Sequence, residues 1–240
     1  DTDRSRGLGD VYKRQILYGA KKLGMHIHTR YEVSNNAGQD ICDIVNNEGF
    51  DFLLVGSGIS MSDSPDDIAA TRYRTSFYNR YFKRFKAPES WFYPGALLKD
   101  KTKMFIARSN CDVGVFINRN FVKATNTLVV ISSEEDLFLL DYTRTLLKAT
   151  HGSVGIVAKM STTTPGHDQI LKELWDFVSS IPQTQLLPDK DLTPGLFNSY
   201  NFMLIGYNTW NDVSEHRKEA LQKMPSTLIL NKNKRSSSDN

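Results

Sequence analysis

A chain of 240 residues, 40% hydrophobic and 24% charged, is long enough for one large or two small globular domains, and it is too apolar for a disordered polymer. Its formal charge of +3 is too small to imply nucleic acid, and two cysteines, Cys42 and Cys111, make neither a disulfide framework nor a metal-ligand spacing, which points to a reducing compartment. No run reaches the roughly 18 to 20 apolar residues that a bilayer span needs, and the polar N-terminus lacks the apolar segment of a signal peptide.

Residues 1–15 are charged, glycine-punctuated and without periodicity. They read as a non-native or disordered tail, the run Val11 to Gln15 resembling adapter sequence translated as coding. Ile16 to Leu23 looks like the end of a helix. Met25 to Val33 alternates and predicts a strand, Gly38 to Asn47 a helix, and Asp51 to Gly56 a buried strand.

From residue 59 to 105 the pattern breaks, and an insertion is expected. Ser64-Pro65-Asp66-Asp67 is a helix start with a cap, proline in the first turn and acids at the N-terminus. The segment that follows interleaves Arg72, Arg74, Arg80, Lys83 and Arg84 with Phe77, Tyr81 and Phe85, three aromatics that share one side at helical spacing. Three readings compete, ranked in this order: packing against the chain's own sheet or a dimer mate, contact with an anionic membrane surface or membrane-embedded partner, and stacking of single-stranded nucleic acid. No nucleic-acid recognition motif supports the third.

Asp112 to Asn118 is again a strand. Asn126 to Ser132 is a β-branched strand, and Glu134, Glu135 and Asp136 follow as acids at a helix N-terminus, where the macrodipole favours them. Leu137, Leu140, Thr143 and Leu147 recur at helical spacing. Ser153 to Met160 is a strand, His167 to Ile181 an amphipathic helix, Thr184 to Leu187 a short strand, and Asp191 opens a turn or short helix. Asn201 to Gly206, Trp210 to Lys223 and Pro225 to Asn231 complete a strand–helix–strand unit. Strands alternating with helices predict an α/β fold with parallel sheets covered on both faces.

Asp51 to Gly56 matches Asn201 to Gly206 in chemical type, and Asp112 to Asn118 takes the part of Thr227 to Asn231. Two copies of one unit are therefore expected, at 16–120 and 121–232, with 233–240 a disordered tail. The first copy lacks its opening strands and reads as N-terminally truncated.

Four runs carry a narrower resemblance: Arg30 to Asn36, Asp51 to Gly58, Tyr93 to Asp100, and Cys111 to Arg119 with its Cys-x-Val-Gly-x-x-x-x-Arg pattern. They resemble the hydrophilic C-terminal region of bacterial and plant cation/proton antiporters, and the two halves resemble a tandem universal-stress-protein (adenine-nucleotide-hydrolase-like) fold. The resemblance implies a non-catalytic regulatory domain at the cytoplasmic face of the cell membrane. Its partners would be the membrane transport domain of the same polypeptide, and also a second copy or an anionic membrane surface. The alternative is a stand-alone tandem universal stress protein that binds an adenine nucleotide.

Universal stress proteins that hold ATP use a Gly-x-x-Gly turn after the fourth strand. Here Gly206 is followed by Tyr207-Asn208-Thr209-Trp210, with no second glycine, so no nucleotide cofactor is expected in the second copy. Gly56, Ser57 and Gly58 form a weak phosphate-cradle candidate in the first. His26 and His28 share a strand face with no third ligand, and Cys111 has no local base, so neither a metal site nor a catalytic site is expected.

Overall fold

The computed structural model describes residues 34–56, 101–160, 165–188, 192–216 and 223–233, together with scattered positions between 14 and 30. The chain divides into two units, Asp1–Ala37 and Gly38–Asn240. In the first, Leu17, Tyr18 and Ala20 to Lys22 are helical, as expected. His26, Ile27, His28 and Arg30 carry no strand, contrary to the alternation there. Two histidines around a single isoleucine give little apolar face with which to anchor one.

The second unit is built from α1 (Ala37–Glu48), β1 (Phe52–Gly56), α2 (Lys101–Arg108), β2 (Asp112–Ile117), β3 (Asn126–Ile131), α3 (Leu139–Thr150) and β4 (Ser153–Ala158). It continues through α4 (His167–Ser180), β5 (Thr184–Pro188), α5 (Pro194–Phe197), β6 (Phe202–Gly206), α6 (Tyr207–His216) and β7 (Ser226–Asn231). The seven strands form one sheet in the order β1-β2-β7-β6-β3-β4-β5. Every pairing is parallel except β2 with β7.

Alternation sorts the side chains of β3 onto two faces. Leu128 and Val130 join a core with Met203, Ile205, Trp210, Val213 and Phe197, beneath α5 and α6. Val129 and Ile131 join Leu139, Leu147, Ile170, Leu174 and Phe177, beneath α3 and α4. All five residues of β6 are buried, which requires the near-continuous apolar run FMLIG.

The registers contain a correspondence. Phe52 to Gly56 pair with Asp112 to Phe116, and Phe202 to Gly206 pair with Ser226 to Leu230. In the antiparallel junction Val115 faces Ile229, Gly114 faces Leu230, and Phe116 faces Leu228. Val115 and Ile229 occupy the same position in their own strand pairs, so the β1–β2 pair relates to β6–β7 by a local twofold between these two residues. Gly114 makes room for side chains at this crossing: a Cβ there would lie 2.5 Å from Phe52 Cζ, 3.2 Å from Leu228 Cδ1 and 3.3 Å from Leu54 Cδ1. Flexible side chains from both neighbouring strands fill the space that a methyl would take.

The acids after β3 depart from expectation. Glu134 to Asp136 form a single 3-10 turn, and the α-helix begins only at Leu139. Asp136 is 2% exposed, its carboxyl turned into the protein and not out toward solvent at a helix start.

Candidate functional site

In an open parallel sheet the crevice lies where strand connections diverge, beyond the carboxyl ends of two adjacent strands. Here β3 connects through α3 to β4 on one side, and its other neighbour β6 connects through α6 to β7 on the opposite side. The divergence therefore falls between the ends of β3 and β6, where Ser132, Ser133, Asp136, Gly206 and Thr209 meet.

Asp136 Oδ2 accepts hydrogen bonds from Ser132 N–H at 2.9 Å, Ser132 Oγ at 3.1 Å, Ser133 N–H at 3.3 Å and Thr209 Oγ1 at 2.6 Å. The hydroxyls of Ser132 and Thr209 also touch one another. On the other side of the carboxyl, a Cβ built on Gly206 would overlap Asp136 Oδ1. Beside this cluster a half-open cleft of about 200 Å³ runs between Glu135, Phe138, Tyr207, Asn208 and Lys232. Asn208 Nδ2 donates to Glu135 Oε2 at 2.8 Å in its lining.

A second polar network sits where the quoted Cys-x-Val-Gly run begins. Asp112 Oδ2 accepts from Tyr142 Oη at 2.9 Å, and Asp112 Oδ1 accepts from the Asn233 backbone N–H at 2.8 Å. Asn233 Nδ2 in turn donates to the Ser109 carbonyl at 2.8 Å. Burial, and then the carboxylate that accepts its proton, push the Tyr142 hydroxyl well above the ordinary tyrosine range. Burial also raises the thiols of Cys42 and Cys111 and lowers the Arg119 guanidinium. A thiol raised by an apolar surround is a poor nucleophile, which fits these cysteines to packing.

The sequence candidates fall as follows. Gly56 closes β1, paired with Phe116 and half-buried. Ser57 and Gly58 lie outside the described residues, as do Arg72, Arg74, Phe77, Arg80, Tyr81, Lys83, Arg84 and Phe85. His26 and His28 are described, and among the described residues no three His, Cys, Asp or Glu side chains gather to hold a metal. Gly206, the last residue of β6, stands in the crevice. Its partner was missed: nothing in the run Glu134-Glu135-Asp136 distinguishes the acid that turns inward. The spacing Ser-x-x-Asp from Ser133 was the available signal.

The sequence matches no protein-family profile. No curated protein matches it either. Solved structures do. A universal stress protein from Archaeoglobus fulgidus superposes with a TM-score of 0.52 at 11% identity, covering 95% of this chain and 79% of that one. A protein assigned to the same class from Pseudomonas aeruginosa gives 0.49 at 11% identity, covering 95% and 78%. Another Pseudomonas aeruginosa protein, functionally unknown, gives 0.47 at 11% identity with the same coverage. The chain has an α/β fold of universal-stress-protein type, with a mostly parallel seven-stranded sheet.

Proposed function

We propose that this chain is the non-catalytic regulatory part of a monovalent cation/proton antiporter, on the cytoplasmic face of the membrane, acting by contact with the transport domain of the same polypeptide. Its two α/β copies would be tandem, the first represented by β1 and β2. Among the described residues no helix is long and apolar enough to cross a membrane, so transport itself would belong to another part of the protein.

The observation that carries the proposal is an inequality between equivalent strands. Leu54 and Leu204 occupy the same register position, yet Leu54 is 58% exposed and Leu204 is 2% exposed. Just before β1, Phe50 is also 50% exposed. An apolar side chain exposed on one strand, where its counterpart on the equivalent strand is buried, suits a surface that meets a partner. The identity of that partner comes from resemblance: Asp51 to Gly58 and Cys111 to Arg119, two of the antiporter-like runs, include β1 and β2.

Two features weigh against a nucleotide-binding stress protein. Position 209, where a second glycine would be needed, is Thr209, and the buried carboxyl of Asp136 stands against it. Sequencing the gene upstream of Ile16 tests the proposal. It expects several successive apolar segments of about 20 residues each. An initiating methionine followed only by one strand, one helix and a second strand would overturn it.

A further inference from the structure

We propose that Asn233 is a releasable clip: through it the C-terminal end of the chain holds the segment α1–β1–α2 closed, and its displacement opens that segment, with both cysteines, while β3 to β6 stay folded. The inference does not rest on the antiporter reading, and its failure would leave that reading standing.

The clip acts on residues 108–112, the turn between α2 and β2, where polar groups from several elements converge. From α1, Asn46 Nδ2 donates to the Arg108 carbonyl at 2.8 Å, and Asn46 Oδ1 accepts from the Asn110 N–H at 2.7 Å. From the residue before β1, the Asp51 carbonyl accepts from the Asp112 N–H at 3.3 Å. These bonds stay within the segment. Three more reach the turn from beyond it: Tyr142 Oη on α3 donates to Asp112 Oδ2, the Asn233 N–H donates to Asp112 Oδ1, and Asn233 Nδ2 donates to the Ser109 carbonyl. Asn233 makes two of the three. The β2–β7 ladder ends where Val113 faces Asn231, so two residues further on a carboxylate and a side-chain amide take over from ladder bonds.

The segment is also the weakest part of the sheet's packing. Among the described residues its core cluster has three buried side chains, Cys42, Phe105 and Val113, against thirteen and fifteen in the other two clusters. Local opening is easiest where few apolar contacts are buried. The far half of β2 is held separately, because Val115 and Ile117 belong to the larger core beneath α5 and α6. An opening at the turn therefore frays α1, β1 and α2 and leaves β3 to β6 in place. Both cysteines of the chain lie where they report it. Cys111 is in the turn, Cys42 is on α1 with the Ser109 hydroxyl donating to its Sγ at 3.9 Å, and both are buried.

Iodoacetamide labelling of the native full chain, followed at Cys42 and Cys111 separately by peptide mass spectrometry, tests the proposal on three proteins. Asn233→Ala removes the bond to Ser109, and Asn233→Pro removes that bond together with the N–H that Asp112 accepts. Both cysteines should label slowest in wild type, several-fold faster in the alanine variant, and about tenfold or more faster in the proline variant. Amide hydrogen exchange in β3 and β6 should stay at the wild-type rate throughout. Equal labelling in all three proteins would show that Asn233 holds nothing closed. Labelling that accelerates in step with exchange in β3 and β6 would make Asn233 a support of the whole fold; either result overturns the proposal. In an Asp112→Ala background the proline substitution should accelerate labelling by a smaller factor, and an undiminished factor would mean that proline acts by backbone strain, which counts against the clip. If the proline variant does not fold, the alanine variant decides by the same two readouts.

Discussion

At the scale of single residues, the buried Asp136 and the half-buried Tyr142 fix local geometry. Gly206 and Asp136 are a steric pair, so Gly206→Ala should destabilise by about 1–3 kcal/mol, as overpacking does in a tight site. In an Asp136→Ser background the added methyl meets open space. The cost should fall by about 1 kcal/mol or more in a double-mutant cycle read by urea unfolding. Additive effects would mean that the two residues do not press on each other.

Tyr142 gives a prediction in pH. Its hydroxyl holds its proton more tightly folded than unfolded, because it is partly buried and bonded to Asp112. Above the ordinary tyrosine value near 10, the unfolded chain has lost that proton while the folded chain keeps it. The contribution of Tyr142 is therefore complete below that pH and declines as pH rises toward the raised folded value. Melting temperature measured through the alkaline range should drop more steeply for wild type than for Tyr142→Phe, and parallel curves would contradict this. Cys42 and Cys111 are raised in the same direction. Since both are buried, a thiol reagent should modify them slowly in the folded protein and at once in denaturant.

At the scale of elements, equal positions in β1 and β6 should respond unequally. Leu204→Ala should cost about 2–5 kcal/mol, as a buried leucine in a core does. Leu54→Ala should cost about 0.5 kcal/mol or less in the isolated chain, since more than half of the residue is already exposed. Chemical denaturation of the two variants checks this, and similar losses would mean that β1 is covered. The elements were unequally legible for the same reason. The runs NTLVVI, SVGIVA and FMLIG announce buried strands, and the stripe from Ile170 to Val178 announces α4, because burial on one or both faces leaves a periodic record. In α2 only Phe105 is a buried hydrophobic, with Met104 and Ile106 at its flanks, and so short an apolar face did not register as a helix. Helix α6 starts at Tyr207, directly from β6, three residues before the expected Trp210.

At the scale of the whole sheet, the likeness of two strand pairs could be seen in the sequence, but their junction could not. An apolar strand such as DVGVFI specifies burial; it does not specify which neighbour lies antiparallel to it. The observed register centres on Val115 and Ile229, and it was Gly114, pressed by side chains from β1 and β7, that gave a physical reason for the Val-Gly in the quoted run. The crevice was half legible. Gly206 and the bulky residues after it pointed to a closed phosphate turn, whereas the inward Asp136 needed three-dimensional placement, because Thr209 comes to it from far along the chain.

Titration calorimetry of the wild-type chain with ATP and AMP reaches the central claim most directly, that the ligand crevice of this universal-stress-type fold is already filled from within. Heats indistinguishable from dilution are expected for both nucleotides. Saturable micromolar binding that disappears when Thr209 is changed to valine would place a nucleotide where Asp136 is held to sit, and would contradict it.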